Sequence, residues 1–139
     1  NGTINQIIKH RKRKVEVRID DQDLWSMDHT LSLIILPMLK RLKEIKHGSG
    51  YVDHDDVPEE LKPTEEAGPD NYYTDNTIHK RWDWVLDEMI WTFEQIADVN
   101  AEYEHWDGKK WDLEARKAQR ERINNGLRLF GKYYQSLWD

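Results

Sequence analysis

Apolar side chains recur at steps of three and four residues in three separate segments, and this period constrains the fold more than any other feature. Such spacing places the apolar residues on one face of an α-helix. The segments run from about residue 25 to 47, from 76 to 99 and from 112 to 137. In the first segment the side chains predicted to face the core are Leu24, Met27, Leu31, Ile34, Met38, Leu42 and Ile45. The sequence predicts a mostly α protein with a three-helix core.

A long acidic segment separates the first two helices. Residues 48–75 carry nine Asp and Glu against Lys62 alone, a net charge of −8. A connection of that length inside a compact domain is usually a functional flap or a disordered segment. The apolar residues Tyr51, Val52, Val57 and Leu61 favour an ordered flap wrapped on the helices.

The chain begins with a basic arm. Residues 1–14 contain five Lys and Arg and no acid, and the alternation of Val15, Val17 and Ile19 predicts a short half-buried strand after them. The arm can attract nucleic acid, but the overall charge of −6 argues against binding of an extended duplex. A length of 139 residues suits one domain, residues 1–139.

Cysteine content and hydropathy exclude several classes of protein. The chain has no cysteine, which excludes a cysteine nucleophile and a Cys-ligated metal site. The longest apolar run, residues 33–39, is far short of the ~20 residues that span a bilayer. We therefore expect no membrane association and a cytoplasmic location.

The second helix presents a face with two tryptophans and a carboxylate. Trp84, Glu88 and Trp91 fall on one side of it, and Arg81 lies one turn before Trp84. Two indole rings beside a carboxylate can stack a planar base and accept hydrogen bonds from its edge. The alternative is a second core face or a contact with another subunit.

The third helix is basic, since residues 108–139 hold eight Lys and Arg against four acids. Arg128 and Lys132 are one turn apart, so their repulsion requires a counter-anion. That anion is either a phosphate or carboxylates such as Asp83, Asp87 and Glu88, and the acidic flap offers a second attraction. Gly126 costs about 1 kcal/mol relative to Ala inside a helix, which indicates a close approach there. Arg122 and Asn125 complete the candidate ligand contacts of this helix.

Two further groups carry candidate chemistry. At the start of the first helix, Asp28 and His29 lie one turn after Trp25, and we expect them to read the polar edge of a ligand. On the second helix, a spacing of four brings together side chains of types that suit a divalent metal, which would be the protein's only cofactor. An exposed polar stripe is the favoured explanation of the same three side chains. These three residues are His79, Asp83 and Asp87.

Several runs of residues resemble a family of small uncharacterised proteins of tailed bacteriophages. They include the segments WSMDHTL at 25–31, RWDWVLDEM at 81–89 and RINNGLRLFGKYY at 122–134. The resemblance covers most of the chain from Val15 onward. It implies a viral protein made in the cytoplasm of an infected bacterium and carries no activity with it.

The leading functional hypothesis is a non-enzymatic protein that captures a small anionic, base-containing ligand, such as a nucleotide immune signal of the host. Tryptophans would stack the base, and cations of the third helix would neutralise phosphate. We also expect a homo-oligomer. Two alternatives stay open: a metal-dependent nucleotide hydrolase, and a virion or host-protein interaction module whose tryptophan faces are interface.

Overall fold

The computed structural model describes residues 15–65 and 75–139. The basic arm 1–14 and residues 66–74 of the flap lie outside the described residues. The described part contains four α-helices rather than three, and the prediction of a mostly α protein is confirmed. These helices are α1 (Asp21–Trp25), α2 (Met27–Ile45), α3 (Ile78–Ala97) and α4 (Leu113–Lys132).

The helix ends follow local chemistry. The three long helices begin and end within two residues of the predicted positions, except that α4 ends five residues earlier, before a 3₁₀ turn at Tyr134–Ser136. Asp112 starts α4, because its side chain accepts a hydrogen bond from the Ala115 amide at 3.1 Å. Ser26 has φ −135° and ψ 61°, which separates α1 from α2.

The predicted N-terminal strand is not found. Residues 15–20 have no regular secondary structure, and Val15, Val17 and Ile19 are all exposed. A strand needs a partner for its backbone groups. The described residues offer none, since their only strand-like pairing is the isolated bridge between Trp106 and Trp111.

Helix α3 is the centre of the core, because it packs along both α2 and α4. The flap supplies two buried side chains, Val52 before its first 3₁₀ turn and Val57 between its two 3₁₀ turns, so the described part of it is ordered, as predicted. Helix α2 contributes a single fully buried apolar side chain, Leu39. Buried side chains from α3 and the α4 end make up the rest: Trp82, Val85, Leu86, Met89, Phe93, Leu129 and Tyr133.

A ladder of ion pairs runs along the contact between α2 and α3. Three lysines spaced by three residues on α2 meet three acids of α3 in reverse order, so the two helices are antiparallel. The pairs are Lys40 with Glu94 at 3.4 Å, Lys43 with Asp87, and Lys46 with Asp83 at 3.0 Å.

Candidate functional site

The side chains predicted to turn α2 toward the core point to solvent instead. Leu31 and Ile34 are exposed, and Met38 is 67% exposed. Only Leu42 of the predicted stripe is half-buried, while Leu24 on α1 is exposed as well. We call the outward stripe the apolar face of α2 and define it as Met27, Leu31, Ile34, Met38 and Ile45.

A different side of α2 faces the core, with Ile35 and Leu36 partly buried against it. It carries Ser32, which is fully buried and donates its hydroxyl to the Asp28 carbonyl at 2.7 Å. Leu39 lies on the same side, and the lysine ladder fixes that side against α3. The helix therefore packs Ile35, Leu36 and Leu39 on the core and leaves its second apolar side uncovered.

An apolar groove adjoins the apolar face of α2. It lies between α2 and the end of α4, where these two helices make little direct contact, and it has a volume of about 360 Å³. The rings of Phe130 and Tyr134 form one wall, with centroids 5.4 Å apart. The lining residues are Ile35, Met38, Leu39, Leu42, Phe130, Tyr134 and Leu137.

The acidic flap neutralises the cationic pair of α4. Asp56 accepts hydrogen bonds from Lys132 and from the Tyr133 hydroxyl, both at 2.6 Å, and lies 2.9 Å from Arg128. Lys132 also pairs with Asp53 at 2.7 Å. The sequence left open whether a phosphate or protein carboxylates neutralise this cationic pair. The structure shows carboxylates of the flap in contact with it. The side-chain oxygen of Asn125 accepts a hydrogen bond from Arg128 at 3.0 Å.

These contacts shift three ionisation equilibria. Burial opposes ionisation of Asp56, but hydrogen bonds from Lys132, Tyr133 and Arg128 hold the pKa of Asp56 below its usual value. Hydrogen bonds to Asp53 and Asp56 raise the pKa of Lys132. Burial and the bond to Asp56 raise the pKa of Tyr133 to about 12.

The predicted tryptophan–carboxylate face of α3 is occupied by the protein itself. The Arg122 guanidinium lies 3.9 Å from the centre of the Trp91 ring. The same group donates to both oxygens of Glu88, at 3.2 and 2.6 Å. Trp84 is half-buried against the core. The structure thus brings Glu88, Trp91 and Arg122 together as a contact between helices.

Arg81 is a buried structural residue rather than part of an open site. Its guanidinium is fully buried and forms two hydrogen bonds to Asp75, at 2.7 and 2.8 Å, and one to the Val52 carbonyl at 3.1 Å. It therefore ties the end of the flap to its beginning. Bonds from Arg81, together with the Thr77 amide, lower the pKa of Asp75 to about 2.

The first-helix candidates lie apart from the cations of α4. Trp25 is 79% exposed at the end of α1, and Asp28 is exposed on the first turn of α2. His29 is half-buried, with Nδ1 3.4 Å from the Ile96 carbonyl oxygen. The structure does not bring these three residues to Arg122, Arg128 or Lys132.

The candidate metal ligands also take separate partners. His79 Nδ1 lies 2.8 Å from the Ser49 hydroxyl, while Asp83 and Asp87 bind lysines of α2. Within residues 15–65 and 75–139, no group of three His, Asp or Glu side chains is placed to hold a metal ion.

Sequence reasoning missed an aromatic cluster before α4. The rings of Trp106 and Trp111 lie 5.1 Å apart, Tyr103 lies 5.6 Å from Trp111, and Arg116 lies 4.4 Å from the Trp111 ring. The available signal was the pair of tryptophans around Gly108, whose φ of 97° makes the tight turn between them. Trp106 and Tyr103 are exposed.

Comparisons with protein family models, with curated proteins and with solved structures find no match to this chain. The resemblance to a bacteriophage family, and the host location that it implies, stay predictions. No helix in the described ranges is long and apolar enough to cross a membrane.

Proposed function

We propose that this chain is a non-enzymatic interaction module that binds a protein partner through the apolar face of α2 and the adjoining groove. The observation that carries the proposal is the exposure of Leu31, Ile34 and Met38 in one continuous stripe. Exposed apolar side chains scattered singly are ordinary, but a contiguous patch beside a groove is typical of a protein-binding surface.

The ion pairs that the cations form within the chain support the same choice over ligand capture. Arg81, Arg122, Arg128 and Lys132 each have a carboxylate partner within the chain. A phosphate at these cations would have to displace protein carboxylates, whereas a partner on the apolar face displaces only water. Removal of apolar surface from water is favourable by roughly 25 cal/mol per Å².

The test is site-specific photo-crosslinking in producing cells. The photo-crosslinking residue benzoylphenylalanine replaces Ile34 in one variant and Leu33 in a matched control, because these neighbours are 57% and 56% exposed. Their side chains point about 100° apart around the helix. We expect a covalent protein adduct at position 34 in several-fold excess over position 33. Equal yields at both positions, or none, would contradict the proposal.

Capture of a small anionic ligand is the second candidate, and one observation favours it. Arg120 forms no ion pair with any described residue and lines a hollow of about 230 Å³ with Gln95, Arg116 and Gln119. Asp98 and Glu102 line the same hollow, and Glu102 pairs with Arg116 at 3.2 Å. That volume is below the ~300 Å³ of ordinary ligand pockets, so the hollow suits a phosphate group better than a whole nucleotide.

Thermal unfolding with added inorganic pyrophosphate or a cyclic dinucleotide tests this second candidate. If the hollow is the site, stabilisation by the added ligand is lost in Arg120→Ala and kept in Arg128→Ala. If the site predicted from sequence is correct, the pattern is reversed. Absence of any stabilisation in the wild-type chain would exclude both sites for these ligands.

A further inference from the structure

We propose that the occupant of the apolar face of α2 is a second copy of this chain, packed antiparallel about a two-fold axis. This inference rests on the proposed function and names its partner. Three features of the described residues support this proposal. They are the shape of the surface, the order of charges along α2, and the lack of an internal ion pair at two of the acids that would face the second copy.

The surface has the shape that a two-fold contact requires. In such an interface each copy uses the same patch, so the patch must contain both a ridge and a hollow that accepts it. Here the apolar face of α2 is the ridge and the apolar groove is the hollow. Met38 belongs to both, so the two are directly adjacent and each copy can insert its ridge into the other's groove.

The small contact between α2 and α4 also favours a second copy of this chain as the occupant of the groove. Helix α3 packs against both of them, but α2 and α4 make little direct contact and leave the groove between them. A helix laid in this groove would complete a four-helix arrangement, in which antiparallel neighbours are common. The α2 helix of a second copy already has the necessary apolar stripe, about 28 Å long at 1.5 Å per residue over its 19 residues.

The charges along α1 and α2 favour the antiparallel direction. The start of the segment is acidic and its end is basic, so a parallel pair would place like charges together. An antiparallel pair places each acidic start beside the basic end of the other copy. The acids are Asp20, Asp21, Asp23 and Asp28, and the bases are Lys40, Arg41, Lys43 and Lys46, with Glu44 as the exception. The three lysines already pair with acids of α3, so Arg41 is the base that a second copy would meet.

Some of these charges are open to a partner. Among the described residues, Asp21 and Asp28 have no ion pair. Arg41 contacts Glu44 one turn away at 3.0 Å, and both side chains are more than 60% exposed. Surface pairs of this kind contribute little to stability, so exchanging Glu44 for an acid of another copy costs little.

Sedimentation equilibrium of the purified full chain tests the inference. We expect a mass of 33.6 kDa, twice the 16.8 kDa of one chain. Ile34→Glu places a charge at the centre of the contact in both copies, and we expect the dissociation constant to rise at least about 30-fold. The matched control Leu33→Glu introduces the same charge at an equally exposed position outside the apolar face and should leave the dimer intact.

Disulfide crosslinking tests the direction, because the chain has no native cysteine. When Met27→Cys and Ile45→Cys chains are mixed and oxidised, the antiparallel arrangement predicts a disulfide between positions 27 and 45. Disulfides of 27 with 27 and of 45 with 45 would instead establish a parallel pair and overturn the proposed direction.

A wild-type mass of 16.8 kDa at the highest soluble concentration would overturn the dimer. So would a dimer that Ile34→Glu leaves unchanged while circular dichroism shows native helix content. Neither result decides the broader proposal, because the photo-crosslinking experiment still reports whether another protein occupies position 34. A missing adduct there contradicts both proposals together.

Discussion

Arg81 and Asp75 form a two-point ion pair with both side chains almost completely removed from solvent. The guanidinium also donates to the Val52 carbonyl, so one side chain on α3 holds both ends of the flap. Removing one member of a buried pair is far more costly than removing both, since the remaining charge is left without a partner.

We therefore expect Arg81→Met to lower the free energy of unfolding by about 3–5 kcal/mol. The substitution leaves the Asp75 carboxylate and the Val52 carbonyl without their donor. Urea unfolding followed by circular dichroism measures the change. Lys80→Met on the exposed side of the same turn is the control, and its effect should stay within about 0.5 kcal/mol. Equal losses in the two variants would contradict the assignment.

The ion pair of Arg81 with Asp75 also predicts how the stability of the chain depends on pH. The pKa of Asp75 is lowered from 3.8 to about 2 in the folded chain. Its contribution to stability is therefore complete above about pH 4 and is lost as the pH falls toward 2, because the unfolded carboxyl takes up its proton first. Asp56 contributes in the same direction. Urea unfolding between pH 5 and pH 2 should show a steep fall in the free energy of unfolding of the wild-type chain and a shallower fall for Asp75→Asn.

Tyr133 predicts an opposite dependence at alkaline pH. Burial and the bond to Asp56 raise the pKa of Tyr133 from 10.0 to about 12, so its stabilisation is complete below pH 10 and is lost as the pH rises through 12. Ultraviolet titration should resolve one of the six tyrosines as a late phase near pH 12. Tyr133→Phe should remove that phase, and Tyr134→Phe, at an exposed position, should keep it.

Gly126 and Gly131 should respond in opposite directions to alanine. A Cβ at Gly126 would lie 1.7 Å from the Thr92 hydroxyl oxygen and 2.7 Å from its Cβ, whereas one at Gly131 meets nothing within 4 Å. We expect Gly126→Ala to destabilise the chain by about 1–3 kcal/mol through overpacking. Gly131→Ala should stabilise it by up to about 1 kcal/mol, because alanine favours the helix. Thermal unfolding of the two variants distinguishes these outcomes.

Much of the fold was predictable from local patterns. The period of apolar residues located α2, α3 and most of α4, because helix formation depends on neighbours three and four residues away. Gly126 indicated a close approach, which the structure shows to be the Thr92 side chain. The opposite charges of the flap and α4 predicted their attraction, and Asp56 meets Arg128 and Lys132 there.

The candidate site was predicted less well, because the sequence does not show which side chains from different helices contact each other. The sequence offered Asp83 and Asp87 either to a metal or to the cations of α4, but the lysines of α2 bind them. Arg122 and Trp91 were expected on a ligand and instead contact each other. Gly131 also lies inside α4, yet a Cβ there would meet nothing within 4 Å.

The amino-acid sequence by itself determined where the helices lie and which of their faces are apolar, because both depend on short-range periodicity. Only the tertiary structure decided which face of α2 turns inward. Packing of Ile35, Leu36 and Leu39 on the core, together with the ion pairs of Lys40, Lys43 and Lys46 with α3, holds one side of α2 inward and leaves Ile34 and Met38 exposed. Those pairs join residues that lie far apart in the chain, so they cannot be predicted from the spacing of residues within one helix.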